Sequence, residues 1–407
     1  MAHDDPNTVH WHEPSGGRRA GHGKFGRIKL RYDQYMESQG IPIYRGLGVT
    51  RSQDLPRTEW KHKGGKGTFI QLYGTEGKWG CFIIEVPAGG ALKPEKHMFE
   101  EIYLVMEGRG TTEVWQEGQP KRHVFEWQKG SLFSIPMNAN FQIVNASSSP
   151  ALLLAGNTAP NVMNILNSYD AVFNNPYQFL DRFSNAEDFY KPNDDIEPDP
   201  VRGLAMRQTN FIPDIINCEL PLDNRRSPGS TRVEPFMTGN SFYLWIGEHQ
   251  SGRYSKAHAH HSCVALICLK GKGYTRNWPE ADGIRPWENG RTENCNKIEY
   301  EPFGMVSAAP GGANWFHQHF GASKEPLRLT AWYGPNAPGR TPGVPGEKLI
   351  DAGAIDIDEG GTAIPYFMED PFIRQEFEEA LRVEGAETRM DPHWYEPGVR
   401  TGSAGGA

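Results

Sequence analysis

No stretch of this 407-residue chain comes near the ~18 consecutive apolar residues that a membrane-crossing helix needs, so no membrane partner is expected. The N-terminal stretch "MAHDDPNTVHWHEPSGGRRAGHGK" lacks the apolar core of a secretory signal. Cysteine is scarce: Cys81, Cys218, Cys263, Cys268 and Cys295 are odd in number and scattered. They fit a reducing cytoplasm better than a disulfide framework. Positive charge is short as well. With 42 Lys and Arg against 50 Asp and Glu, the formal net charge is -8, and no dense basic run marks a nucleic-acid surface. There is no G-x-S-x-G elbow, no Walker loop and no paired Cys-x2-Cys site. "GGKGTF" and "GRGTT" are turns, because neither has the strand–loop–helix context that phosphate binding requires.

Glycine (46) and proline (31) are plentiful, which favours many short strands over long helices. From Thr68 the runs "TFIQLYG", "WGCFIIEVPAGG", "EEIYLVMEGRGTTEVWQ" and "GSLFSIP" are β-branched and aromatic, bounded by glycine and proline. A second such region runs from about Ser241 to Tyr333. Residues 1–64 are polar and irregular, with a short helix expected near "RYDQYMESQG". Residues 65–160 form a first β barrel and 206–340 a second. Between them, 161–205 read as a helical linker through "VMNILNSYDAVF" and "PYQFLDRF", followed by the acidic, proline-rich "YKPNDDIEPDPVRG". The extension 341–407 carries one amphipathic helix, "DPFIRQEFEEALRVEG".

The two β regions repeat each other. A constant offset of 163 places Glu95 on His258, His97 on His260, Glu101 on Val264, Gly108 on Gly271, Gly110 on Gly273, Thr112 on Thr275 and Trp115 on Trp278. Glycines, a threonine and a tryptophan matched without a gap indicate an internal duplication, hence an all-β tandem of equivalent barrels.

Three histidines crowd into "SKAHAHHSCVALICLKGKG". On a strand, positions i and i+2 share a face, so His258 and His260 project together. Inside a small barrel such a pair can hold a metal, given a third ligand from an opposing strand. Downstream, "SAAPGGANWFHQHFGAS" offers His317 and His319, again at i and i+2. Each histidine alone is more often a hydrogen-bonded core residue. Two same-face pairs in one repeat favour a metal site.

These segments resemble the cupin superfamily, whose first motif is G-x5-H-x-H-x3-4-E-x6-G and whose second is P-x-G-x2-H-x3-N. The resemblance spans roughly residues 65–155 and 240–335 and implies a bicupin, two tandem double-stranded β-helix (jelly-roll) barrels. The second repeat reads His258-x-His260-x3-Val264-x6-Gly271, with valine where the motif has glutamate. Its second motif begins at Pro310-Gly311-Gly312, and His317 is matched to the ligand position, with His319 as the alternative or as a neighbour supporting the ligands. The first repeat carries Glu95, His97 and Glu101, but Phe141 stands where the histidine belongs and Asn145 is kept. That set lacks a ligand from the opposing strand and is degenerate.

Bicupins with a three-histidine site include gentisate-, salicylate- and hydroxynaphthoate-type ring-cleaving dioxygenases. The resemblance implies one Fe(II), chelated by a small aromatic or carboxylated substrate and then binding oxygen. Those enzymes usually carry iron in the first barrel, whereas the complete set here lies in the second. Three imidazoles also accept Zn, Mn, Ni or Cu, which leaves a non-oxidative isomerase, decarboxylase or lyase as the alternative, and a non-catalytic binding protein as a third reading. The expected assembly is a cytoplasmic homo-oligomer acting on a small molecule. Tyr274, Arg276 and Trp278 alternate onto one strand face, and Arg328, Thr330 and Trp332 onto another. If either face is interior, Arg276 or Arg328 would grip a carboxylate, with Trp278 and Trp315 as apolar walls. Otherwise the arginines are solvated and the tryptophans are core.

Overall fold

The computed structural model describes residues 29–199, 203–237, 241–260, 264–311, 314–335 and 352–402. In the first barrel, the strands Gly65–Leu72, Gly80–Val86, Ala151–Asn157, Glu101–Glu107 and Leu132–Ile135 lie side by side in one sheet. A three-stranded sheet of Asn140–Asn145, Arg109–Trp115 and Arg122–Gln128 closes it. In the second barrel, Thr231–Phe236, Phe242–His249, Leu327–Pro335, Ala265–Lys270 and Met305–Ser307 face the sheet of Asn296–Tyr300, Gly273–Pro279, Trp315–Gly321 and Ala257–His260. The chain is thus a tandem of two β barrels. The duplication is visible in three dimensions, because the offset of 163 carries Gly65–Leu72, Gly80–Val86, Glu101–Glu107 and Arg109–Trp115 onto strands of the second barrel.

The repeated glycines have a steric cause. Gly108 and Gly271 both adopt positive φ (92° and 79°), the region where a Cβ is disfavoured. A Cβ on Gly110 would lie 2.1 Å from the Val144 carbonyl, and one on Gly273 2.0 Å from the Phe320 carbonyl. In each barrel the neighbouring strand of the same sheet comes so close that only a glycine fits there.

Each barrel fills its own interior, and a third apolar layer lies between them. Ile83, Ile102, Leu104 and Leu154 of the first barrel meet Phe242, Leu244, Ile246 and Trp332 of the second. Trp332 packs edge-on against Trp79 and Phe242, and it comes so close to the first barrel that a Cβ on Gly156 would lie 2.8 Å from its ring.

The N-terminal segment is more regular than its composition suggests. Helix Arg31–Ser38 forms where a short helix is expected. Then Ile43–Gly46 adds a parallel strand to the first barrel, and Gly48–Val49 pairs with Met305–Ser307 of the second. In return Phe211–Ile212, within the stretch assigned to the second barrel, pairs with Leu132–Phe133 of the first. The linker holds helices Ala159–Leu166 and Tyr169–Phe173, but "PYQFLDRF" is not helical. Leu180 and Tyr177 stay exposed there while Phe183 is buried, so the segment has no apolar stripe to bury, and a helix that short is marginal without one. The C-terminal helix forms at Pro371–Glu384, capped by Asp370 and closed by Gly385 in a left-handed conformation. Its Ile373, Phe377 and Leu381 cover Tyr254, Tyr274 and Phe320 on the outer face of the second barrel.

Candidate metal centre

Strand Ala257–His260 runs antiparallel to Trp315–Gly321, with His258 opposite His317 and His260 opposite Trp315. Ala257 and Ala259 turn outward against Trp278, Phe316 and Ile364. By alternation, His258 and His260 turn inward, as do His317 and His319 on the facing strand. Candidate ligand nitrogens of His258, His260 and His317 lie within 4.8 Å of one another. The His317 ring is 4.2 Å from that of His258 and 4.3 Å from that of His260, centroid to centroid. Nδ1 of His258 faces the Lys256 carbonyl at 3.4 Å, and Nδ1 of His317 faces the Trp315 carbonyl at 3.3 Å. An N–H directed at a carbonyl leaves Nε2 with its lone pair, the arrangement metal-bound imidazoles use. Burial first, and then the neighbouring imidazoles and Arg226, hold His258 and His317 well below the ordinary histidine range. These side chains are therefore neutral, the form that donates to a metal. Three convergent imidazole nitrogens fit a divalent transition metal.

His319 is placed differently. Its Nδ1 lies 2.9 Å from Thr275 Oγ1, and its ring centroid is 5.5 Å from that of His317. It lines an adjoining cavity together with His258, Arg226, His249, Ser230 and Trp245. Burial brings His249 down to about 4, so it too is neutral. Asp223 and Glu248, also at this cavity, are ion-paired with Arg225 and Arg328. Val264 is buried in the apolar interior, so no carboxylate enters from that position.

Three expected substrate contacts fall elsewhere. In register, Thr275 and Asn277 face inward beside His319 and His317, which turns Arg276 and Trp278 outward. Arg276 forms a bidentate pair with Glu376 of the C-terminal helix, and Trp278 packs with Trp287 and Phe316. Arg328 bonds Glu248 at 2.8 Å and the Cys218 carbonyl at 2.9 Å, on the strand face that Trp332 turns toward the first barrel. All three serve packing between layers. Trp315 does share the inward face with His317 and is half-buried. His261 and Cys263 lie outside the described residues, as does Gly312.

In the first barrel Glu95, His97 and Glu101 also offer ligand atoms within 4.8 Å of one another. Glu95 bridges to Phe141 as His258 pairs with His317, so a phenyl ring stands where the opposing strand of the second barrel supplies imidazole. Sequence reasoning missed two cations, and the same offset finds both: 163 upstream of Arg226 is Lys63. The Lys256 amide donates to the Arg226 carbonyl at 2.9 Å, just as the Lys93 amide donates to the Lys63 carbonyl at 2.8 Å. Both donors and both acceptors are related by the repeat.

No family model and no curated protein matches the chain. Among solved structures it is similar to a deletion mutant of Bacillus subtilis oxalate decarboxylase, at 12% identity and a TM-score of 0.44, over 78% of this chain and 87% of that one. A Lactobacillus farciminis oxalate decarboxylase in complex with formate aligns at 11% identity and a TM-score of 0.44, over 71% and 86%. A Bacillus subtilis oxalate decarboxylase studied for its Mn(II) centres aligns at 13% and 0.43, over 70% and 76%.

Proposed function

We propose that the second barrel is the active site of a divalent-metal enzyme that acts on a small carboxylated substrate by non-oxidative chemistry. His258, His260 and His317 hold the metal. When bound, that metal supplies Lewis acidity to substrate oxygens. The observation that carries this reading is the cavity beside the three imidazoles. Its volume is about 50 Å³ and Arg226 is among its lining residues. A cavity of ~150 Å³ accepts benzene, so this one suits a substrate of a few heavy atoms rather than a ring. Arg226 places a cation at the same cavity as His258, which favours a carboxylate oriented between guanidinium and metal. Trp245 contributes an apolar wall.

Fe(II)-dependent dioxygenation of a chelating substrate is the second reading. Val264 favours it, because three neutral ligands leave an iron its full charge and leave positions for substrate and oxygen. The two readings separate in one experiment. Protein purified without added metal is analysed for metal content, then assayed with two- to four-carbon dicarboxylic and α-keto acids, with and without oxygen. Turnover that persists anaerobically, and that disappears with the metal in His258→Ala, supports the Lewis-acid reading. Oxygen uptake in proportion to substrate lost, with no anaerobic turnover, would replace it with the dioxygenase.

A further inference from the structure

The first barrel holds a cluster of charge that the proposed function does not use. Lys63 is almost fully buried, with its Nζ 2.5 Å from Glu95 Oε2. The ammonium also lies over the faces of Phe82, at 4.7 Å, and Trp60, at 5.4 Å. Glu101 is fully buried and accepts the Tyr103 hydroxyl at 2.7 Å. His97 Nδ1 faces the Phe99 carbonyl at 2.8 Å, which turns Nε2 toward Glu101 Oε2 at 3.3 Å without a hydrogen bond. Glu95 Oε1 is likewise buried without a hydrogen-bond partner. Two buried carboxylates in so apolar a setting need compensating positive charge.

We propose that the ammonium of Lys63 is a built-in cation of the first barrel, occupying the electrostatic role of a metal and excluding one from Glu95, His97 and Glu101. Two carboxylates and one imidazole within 4.8 Å are a donor set a divalent ion would accept. The lysine removes that option in two ways. It takes a Glu95 oxygen by direct hydrogen bond, and it repels a second cation across a low-dielectric interior. Burial alone would lower the Lys63 ammonium, but Glu101 and Glu95 outweigh it and hold it above its ordinary range, so it stays charged. Against burial, Lys63 and then His97 bring Glu101 down to about 2.

The second barrel has the converse arrangement. Arg226 stands at the position of Lys63, but Glu95 and Glu101 are replaced by His258 and Val264, and the Arg226 Nε donates to the Gly353 carbonyl at 3.1 Å. No carboxylate stands at either of those positions in the second barrel. One repeat thus carries its cation in the chain, while the other is left to take one from solution.

The test uses the full chain carrying His258→Ala and His317→Ala, so that the first barrel is the remaining candidate site. With Lys63 in place, Mn²⁺ should not be retained after gel filtration, and millimolar Mn²⁺ should leave the melting temperature unchanged. Adding Lys63→Met should lower the melting temperature, create retention of about one Mn²⁺ per chain, and make melting rise with Mn²⁺. Further addition of Glu101→Gln should abolish that uptake. If the Lys63→Met protein is too unstable to purify alone, recovery of folded protein when Mn²⁺ is present during expression reports the same replacement. Retention of Mn²⁺ with Lys63 intact, lost on Glu101→Gln, would overturn the proposal. So would a folded Lys63→Met protein that takes up none.

Discussion

Glu369 gives the most quantitative test of the packing around the second barrel. Its carboxyl is buried beneath the C-terminal helix, bonded to Tyr254 at 2.5 Å and to the Gln318 amide at 3.3 Å, and Tyr254 continues to Tyr395 at 2.7 Å. Burial pushes the acid up from 4.5 to about 8, against the two donors, which pull it down. In the unfolded chain it titrates near its ordinary value. Below about pH 4.5 both states hold the proton and Glu369 contributes no pH dependence. From there to about pH 8 the unfolded chain releases the proton while the folded one keeps it, so stability falls as pH rises and then levels off. At ~1.36 kcal/mol per pH unit, that is ~3 kcal/mol lost at pH 7 and ~5 kcal/mol above pH 8. Glu369→Gln removes the titration and keeps an amide oxygen that can accept from Tyr254 or Gln318. An unfolding entropy of ~2.1 cal/mol/K per residue over 407 residues makes ~3 kcal/mol equal to ~4 °C. Calorimetry should find variant and wild type melting together near pH 5 and the variant ~4 °C higher at pH 7. A difference independent of pH would refute the protonated acid. A wild type that gains on the variant as pH rises would show that the donors from Tyr254 and Gln318 prevail over burial.

Two further tests address the site and the joint between barrels. His317→Ala should reduce bound metal from about one equivalent to near zero, while His319→Ala should retain it, since His319 is tied to Thr275; elemental analysis of the two purified variants decides, and the reverse pattern would move the ligand to His319. Trp332→Ala should destabilise the chain by ~3–5 kcal/mol, because the ring is buried against Trp79, Phe242 and Gly156 and the cavity left cannot collapse between two rigid sheets. Urea unfolding measures it, and a loss below ~1 kcal/mol would mean that the barrels re-seat without the ring.

Alternation along strands was enough to pair His258 with His260 and to place His317 and His319 together, since a two-residue period depends only on the strand being a strand. Parity does not say which face is inside. Arg276 and Arg328 were equally good candidates until Thr275 and Asn277 were seen in register with His319 and His317. The duplication was legible because Gly110 and Gly273 answer the same steric demand at the same place in each barrel. Arg226, His249 and Lys63 were harder, because they sit in different elements from the histidine motif, and tertiary pairing alone brings them to it. Extending the offset upstream would have linked Lys63 with Arg226, but a lysine and an arginine in polar turns carry no local signal of burial.

The short strands exchanged between the barrels have a consequence for how the molecule can be divided. Ile43–Gly46 and Gly48–Val49 are neighbours in the chain, yet they complete sheets in different barrels, while Phe211–Ile212 reaches back into the first. A cut in the acidic linker near residue 195 severs the polypeptide but leaves this cross-bracing in place, so the nicked protein should elute as one particle. Neither half is a self-sufficient unit. Each, made alone, would leave unpaired sheet edges beside the bare apolar face around Trp332, the combination that drives edge-to-edge aggregation. Although the repeat arose by doubling one barrel, the present chain has made the pair indivisible, and the inheritance can no longer be undone by separating the copies.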